Sequence, residues 1–166
     1  MTLPPLHPDL DRLSGLVGVW TGPGAGSYPT IENFAYVETL TFSHIGKPFL
    51  IYTQATRDPL DARPLHAETG YIRLLDAKRV ELVLAQPTGV VEIDEGTLSA
   101  GGDGTMEMVL SSRLVGLSSS AKTVTAVQRT LRLDGGVLRS TLAMAAVGEP
   151  LTHHLASELT LSRPEP

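Results

Sequence analysis

The chain contains no cysteine. This absence excludes disulfide frameworks, thiolate zinc sites, iron–sulfur clusters and cysteine nucleophiles, so any metal has to bind through histidine, carboxylate or methionine side chains. Basic residues are few as well, with 13 Lys and Arg against 18 Asp and Glu and a formal net charge of −5. Because phosphate contacts need clustered basic residues and these are scattered, we expect binding neither to nucleic acid nor to anionic membranes.

Long apolar runs are missing too. No stretch approaches the roughly 18 apolar residues that a membrane-spanning helix needs. Residues 1–8 contain three prolines and lack the basic and apolar segments of a secretory signal, so we expect a cytoplasmic protein. With 42% hydrophobic and 19% charged residues, the composition predicts a single globular domain over residues 1–166, in which residues 1–8 form a loose N-terminal extension.

The sequence predicts one short helix followed by strands. Asp9 is the candidate N-cap of a helix that carries leucines along one side and ends at Gly18. From residue 34 to residue 44, side chains alternate with the period of two that is typical of a strand. Asp134-Gly135 is the strongest hairpin signal. Further extended runs are predicted at 49–56, 65–75, 80–84, 89–95, 105–114, 123–133, 136–147 and 151–161.

These strands are joined by short turns and never by a helical crossover, which indicates antiparallel, up-and-down neighbours. A sheet of this kind removes its exposed edges best by closing on itself. We therefore predict an all-β fold, an antiparallel up-and-down β-barrel of about ten strands with a short N-terminal helix. A barrel of this size can enclose a ligand cavity.

A glycine-rich segment follows the helix and reads Gly18-Val-Trp20-Thr-Gly22-Pro-Gly24-Ala-Gly26-Ser-Tyr28-Pro-Thr30. Taken alone, it predicts a strand, a tryptophan that closes one end of the barrel, and a flexible loop. A phosphate-binding loop is not favoured, because the segment lacks the strand before it and the helix after it that such loops require. Asp94, Glu95 and Asp103 lie around other glycine-rich turns, where solvated charge is the ordinary interpretation.

Two adjacent histidines, His153 and His154, lie in the last predicted strand. Neighbouring residues of a strand point to opposite faces, so at most one of them can enter the barrel. His153 shares its parity with Leu155 and Leu159, and alternation alone therefore favours His153 as the inward residue. The alternative is that both histidines are polar residues at an exposed strand end and that neither binds a ligand.

The glycine-rich segment resembles the Gly-x-Trp-x-Gly-x-Gly signature of the nitrobindin family, with Gly18, Trp20, Gly22 and Gly24 at the defined positions. The similarity covers nearly the whole chain, in order and with compatible spacing. It continues through Gly26-Ser-Tyr28-Pro29-Thr30, Ser43-His-Ile-Gly46-Lys-Pro48, Glu68-Thr-Gly70-Tyr-Ile-Arg73, Ala85-Gln-Pro-Thr-Gly89-Val-Val-Glu92 and His153-His154-Leu155.

This resemblance implies a ten-stranded barrel, related in shape to fatty-acid carriers, that binds one haem b per chain near one mouth. It also implies reversible binding of nitric oxide, isomerisation of peroxynitrite to nitrate at the ferric haem, and a homodimer. The haem iron performs the chemistry, and no side chain beyond its ligand is expected to be catalytic.

The same resemblance assigns the site residues. It implies that His154, the histidine followed by leucine, is the axial ligand of the haem iron, which requires a bulge or a strand end that reverses the parity of the strand. It implies that Thr30 contacts the haem and that four further residues line its cavity, namely Leu65, His66, Gln86 and Met144. We expect His66 to be a hydrogen-bonded residue of the rim rather than a second axial ligand.

Two other functions remain open on the residues alone. The first is a barrel that carries a fatty acid or another apolar molecule without haem, because the same apolar lining serves both uses. The second is an interaction domain whose barrel is filled by side chains. Catalytic motifs of other classes are not favoured, since the chain has neither a Gly-x-Ser-x-Gly elbow nor a His-Glu-x-x-His motif.

Overall fold

A computed structural model describes residues 4–162 of the chain. A 3₁₀ helix, Pro8–Leu16, is followed by ten strands. The strands are β1 (Gly18–Tyr28), β2 (Ile31–Ser43), β3 (Leu50–Arg57), β4 (Pro64–Leu74), β5 (Arg79–Ala85), β6 (Val90–Ala100), β7 (Met106–Leu117), β8 (Val124–Asp134), β9 (Val137–Ala146) and β10 (Thr152–Ser162). Residues 1–3 of the predicted N-terminal extension lie outside the described range. Across residues 4–162, no helix has the length and apolar character to cross a membrane.

The ten strands form one closed antiparallel barrel. Each strand pairs with its neighbours in the sequence, and β1 closes the barrel by pairing with β10. The predicted fold class is therefore confirmed. The hairpin predicted at Asp134-Gly135 is confirmed as well, because β8 and β9 are joined by the two-residue turn Gly135-Gly136, whose φ angles of 57° and 78° suit glycine.

The helix fills one end of the barrel. Leu10, Leu13 and Leu16 are completely buried and join the hydrophobic core. The indole Nε1 of Trp20 donates a hydrogen bond of 2.8 Å to the Leu16 carbonyl oxygen, so this buried tryptophan satisfies one of the free carbonyls at the end of the helix. The leucines of the helix and Trp20 thus pack together in the core at that end of the barrel.

The start of the helix differs from the prediction. The N-cap is His7 rather than Asp9, and the Asp9 amide donates a hydrogen bond of 3.3 Å to the His7 Nδ1. Pro8 occupies the first turn, where the absence of an amide hydrogen costs nothing. The assignment of Asp9 was wrong because the proline allows the helix to begin one residue before the first acidic side chain.

The strand predicted in the glycine-rich segment is confirmed and extends over Gly18–Tyr28 as β1, with a register shift between Gly26 and Tyr28, so the predicted flexible loop was wrong. Every second residue of β1 faces inward, and the glycines of the motif share this parity with Trp20. A Cβ atom at Gly24 would collide with the ring of Tyr36, and one at Gly26 would collide with the ring of Phe34. The glycines therefore make room for two aromatic rings of β2 inside the barrel.

Gly22 tolerates a side chain even less than Gly24 or Gly26 does, because a Cβ atom there would collide with a backbone atom, the carbonyl oxygen of Glu158 on β10. We predict that Gly22→Ala lowers the free energy of unfolding by about 1–3 kcal/mol, since relief of the collision separates the two strands that close the barrel. Urea denaturation measures the change. Gly102→Ala is the control, because that glycine has no atom within 4 Å of the new methyl group. Equal effects of the two substitutions would contradict the prediction.

Candidate functional site

The barrel encloses a cavity of about 240 Å³ at the end opposite the helix. Along β2, Phe34, Tyr36 and Glu38 line this cavity, whereas Leu40 and Phe42 join the core at the helix end. The change from cavity to packed core along a single strand shows that the lumen is only partly filled. The alternative of a barrel filled by side chains is therefore wrong.

His154 faces the cavity, and its neighbour His153 lies exposed on the outer surface. Below them in β10, Ser157 and Leu159 are the buried residues, so strict alternation would have turned His153 inward. The pairing of β10 with β9 shifts between His153 and Leu155, a β-bulge that leaves His154 as the extra residue. The bulge resolves the conflict between alternation and the family resemblance.

The ring of His154 is held in one orientation. Its Nδ1 lies 3.0 Å from the Ser27 carbonyl oxygen, which can only accept a hydrogen bond, so Nδ1 carries the hydrogen and donates it. The rings of Tyr28 and Phe34 contact the imidazole edge-on, at centroid distances of 5.3 Å and 6.1 Å. Nε2 therefore keeps its lone pair on a ring that lines the cavity.

Burial lowers the pKa of His154, and His153 and His66 lower it further, although the hydrogen bond to Ser27 acts in the opposite direction. A lowered pKa favours the neutral ring, the form in which histidine binds metal. The donor set fits haem, because haem iron needs only one protein ligand. Within residues 4–162, no group of three or more His, Asp or Glu is arranged to hold a bare metal ion.

The other predicted haem residues divide into two groups. Leu65, His66, Gln86 and Met144 line the same cavity as His154. Thr30 lies exposed in the turn between β1 and β2, outside the cavity lining. A contact of any of these five residues with haem stays a prediction.

A buried ion cluster beside the cavity was not predicted from the sequence. The terminal nitrogens of Arg129 donate to both Glu68 oxygens at 2.9 Å and 3.0 Å and to both Glu92 oxygens at 3.0 Å. Asp94 lies behind them, with its Oδ2 at 3.3 Å from the Arg129 Nε. The prediction that Asp94 is solvated was wrong, because its side chain is completely buried.

Another acidic group, Glu38, is buried in the lining of the same cavity. Gln54 Nε2 donates to Glu38 Oε1 at 3.0 Å, and the Ser157 hydroxyl donates to Oε2. Burial raises the pKa of Glu38 above its usual range, although these two hydrogen bonds oppose the shift. The Oε1 of Gln54 is buried without a partner.

The acids of the Arg129 cluster differ in protonation. Burial alone would raise the pKa of Glu68, but the Arg129 guanidinium and the neighbouring His66 outweigh it and hold this pKa at about 2. Burial raises the pKa of Asp94 to about 7, because Arg129 offsets it only in part and the Glu92 carboxylate adds to it. One acid of the cluster is therefore firmly ionised, and another exchanges its proton near neutral pH.

The raised pKa of Asp94 predicts a pH dependence of stability. Between its ordinary value of 3.8 and about 7, the folded chain retains a proton that the unfolded chain has lost, so stability falls as pH rises through this window. We expect the loss to approach roughly 1.4 kcal/mol per pH unit at most, and Asp94→Asn to remove it. Urea denaturation across the window tests this, with the exposed Asp61→Asn as control; an unchanged slope in Asp94→Asn would contradict it.

Comparisons with known proteins agree over most of the barrel. A family model described as "THAP4-like, heme-binding beta-barrel domain" matches residues 9–161. A relative from Mycobacterium ulcerans (strain Agy99), named peroxynitrite isomerase 2, is 54% identical over 154 residues, which are 93% of this chain and 95% of the relative. A relative from Nocardia farcinica (strain IFM 10152), named peroxynitrite isomerase, is 53% identical over 154 residues, which are 93% of this chain and 91% of the relative. The crystal structure of Rv2717c from M. tuberculosis has a TM-score of 0.93 at 51% identity and covers 96% of this chain and 100% of that chain.

Proposed function

Because the chain belongs to the family of THAP4-like, heme-binding beta-barrel domains, which includes the nitrobindins, we propose that it isomerises peroxynitrite to nitrate at one haem b held by His154. The observation that carries this proposal is the free Nε2 of a neutral imidazole inside the cavity, fixed by the Ser27 carbonyl. The relatives named peroxynitrite isomerase support the reaction. When bound, ferric haem would supply the iron chemistry that rearranges peroxynitrite, and His154 would hold it.

Residues of the cavity and one backbone carbonyl would share the work of binding haem. His154 would hold the iron, and the Ser27 carbonyl orients the ring and increases its basicity, as second contacts of metal ligands do. Leu142, Met144 and Leu155 would offer apolar surface to the macrocycle and exclude water from it. No proton has to move, because substrate and product carry the same charge.

His66 is held away from the role of a second ligand. Its Nε2 lies 3.4 Å from a Glu68 oxygen, and Glu68 is itself fixed by Arg129. Because Glu68 engages the Nε2 of His66, this nitrogen is not free to bind iron in the described arrangement. Reversible binding of nitric oxide, and contact of Thr30 with the haem edge, belong to the same proposal.

The reaction test uses the full chain loaded with hemin. We expect peroxynitrite to decay at a rate proportional to the concentration of loaded protein, and nitrate to rise at the expense of nitrite. The haem-free chain and hemin without protein are the controls. If a Soret band forms but peroxynitrite decays no faster, the protein binds haem and is not an isomerase. If no Soret band forms, haem binding is overturned as well.

We also propose that the protein acts in the cytoplasm as a homodimer, through an apolar stripe on the outside of the barrel. The stripe consists of Ile51, Tyr71, Val83, Ile93 and Leu114, which are paired in one row across β3 to β7. Tyr71, Val83 and Leu114 are exposed despite their apolar character, with 52%, 39% and 49% of their surfaces accessible. A contiguous apolar patch of this kind is typical of a protein interface.

Charge in the stripe is expected to separate the dimer. We predict that Val83→Lys converts a dimer into a monomer in light scattering coupled to gel filtration, because each subunit would bring a lysine into the isologous contact. Val147→Lys is the control, since Val147 is exposed to a similar extent outside the stripe. A wild-type chain that is monomeric at high concentration would contradict the proposal.

A further inference from the structure

The inner end of the cavity carries an excess of negative charge. We name this surface the acidic floor and define it by the four polar residues that line it, Glu38, Gln54, Glu68 and Arg129. Glu92 and Asp94 lie behind Arg129, so that three carboxyl groups pair with a single guanidinium, and Glu38 adds a fourth carboxyl group to the floor. His66 lies at the rim, against Glu68. The field at the floor therefore favours a positive group over a negative one.

Arg129 is already engaged by carboxylates. Both of its terminal nitrogens donate to carboxylate oxygens of Glu68 and Glu92 at 2.9–3.0 Å. A ligand carboxylate would therefore compete with Glu68 and Glu92 for the guanidinium, and a displaced Glu68 would be buried without its partner. This floor therefore opposes a carboxylate head group.

The floor also presents a hydrogen-bond acceptor that has no partner. Gln54 is 6% exposed and lines the cavity, and its Nε2 is engaged by Glu38. Its Oε1 lacks any partner among the described residues, and a buried acceptor in this condition stabilises a ligand that brings a donor. Together with the oxygens of Glu38, it forms one end of a site for a group with several N–H donors.

The walls on the mouth side of the floor carry apolar residues. Phe34, Met144 and Leu155 line the cavity there, beyond Glu38 on β2, Arg129 on the β8–β9 pair and Ser157 on β10. A ligand that satisfies both regions has a cationic donor at one end and an apolar chain behind it.

We propose that the haem-free cavity binds amphiphilic cations, protonated primary amines on an apolar chain, with the ammonium group between Glu38 and Gln54, and that it discriminates against the matching carboxylates. This specificity would keep a fatty-acid-like barrel from filling with fatty acids. The proposal does not depend on peroxynitrite isomerisation, since it concerns the chain without haem.

The test compares three probes of one chain length on the full, haem-free chain by titration calorimetry: n-octylammonium, octanoate and 1-octanol. We expect octylammonium to bind about tenfold or more tightly than octanoate, with octanol between them, because the floor attracts one head group and repels another. Octanoate that binds as tightly as octylammonium, or more tightly, would overturn the proposal.

Glu38→Gln tests the position of the head group. It keeps the shape of the side chain but removes the carboxyl group that can ionise against a bound ammonium group, and we expect the preference for octylammonium over octanoate to fall at least about threefold. Glu158→Gln is the matched control on the outer face of β10, where the side chain is exposed, and it should leave the preference unchanged. An equal loss in both variants would contradict the assigned site.

A second measurement is independent of any variant. In the wild-type chain, nuclear Overhauser contacts are expected between the methylene next to the ammonium group and the Gln54 side chain, and between the chain methyl and residues at the mouth such as Met144. Contacts in the reverse order, or contacts with residues on the outer surface, would overturn the proposal even if Glu38→Gln failed to fold.

Discussion

His154→Ala is expected to abolish stable haem binding. The imidazole is the side chain in the cavity with a free nitrogen lone pair on a ring fixed by Ser27, so its removal leaves apolar contacts alone to retain the macrocycle. The measurement is the Soret absorbance that remains after hemin is added to the chain and the excess is removed by desalting. Wild type should retain about one haem per chain, and the variant close to none.

His153→Ala is the matched control, because the neighbouring imidazole is exposed on the outer surface. It should retain the wild-type Soret band. Added imidazole should restore part of the band in His154→Ala if the cavity is intact, which separates loss of the ligand from loss of the fold. If His154→Ala retained haem and His153→Ala lost it, His153 rather than His154 would be the residue that faces the cavity.

The barrel could be predicted from the sequence because its strands follow a local rule. Period-two alternation and short turns determine antiparallel neighbours, and a ten-stranded sheet of this kind closes on itself. Only part of the glycine-rich segment was predicted as a strand, and the rest was assigned to a loop because glycine is normally rare in strands. The spacing of the motif does indicate a strand, because Trp20, Gly22 and Gly24 recur at intervals of two. The structure places all three on the inward face of β1.

The site was less predictable because it depends on departures from alternation and on contacts between distant strands. The β-bulge that turns His154 inward cannot be derived from parity, and only the family resemblance indicated it. The ion cluster joins Glu68, Glu92 and Arg129, which lie on three strands. One signal was present in the sequence: Glu92 and Asp94 share the parity of Val90, the inward parity of β6. Charged residues on an apolar face indicate a buried network more often than a solvated turn.

Replacement of Arg129 is expected to cause the largest loss of stability in the chain. Arg129→Met preserves much of the side-chain volume but leaves Glu68, Glu92 and Asp94 buried without a counter-ion. Loss of one partner from a buried ion cluster costs about 3–5 kcal/mol, because the remaining charges have to be protonated or hydrated. Urea denaturation at neutral pH measures the change in the free energy of unfolding.

Arg139→Met is the matched control, since Arg139 pairs with Glu158 on the outer face of β9 and β10, with 45% and 65% of the two side chains exposed. An exposed pair of this kind contributes about 0–1 kcal/mol, so the two arginines separate the effect of burial from the effect of charge. Addition of Glu92→Gln to Arg129→Met should recover part of the lost free energy of unfolding, because it removes one of the buried charges that lack a counter-ion. If Arg129→Met proved as mild as Arg139→Met, the acids beside the cavity would have to be neutral in the folded chain, and the acidic floor would lose the charge on which its preference for cations depends.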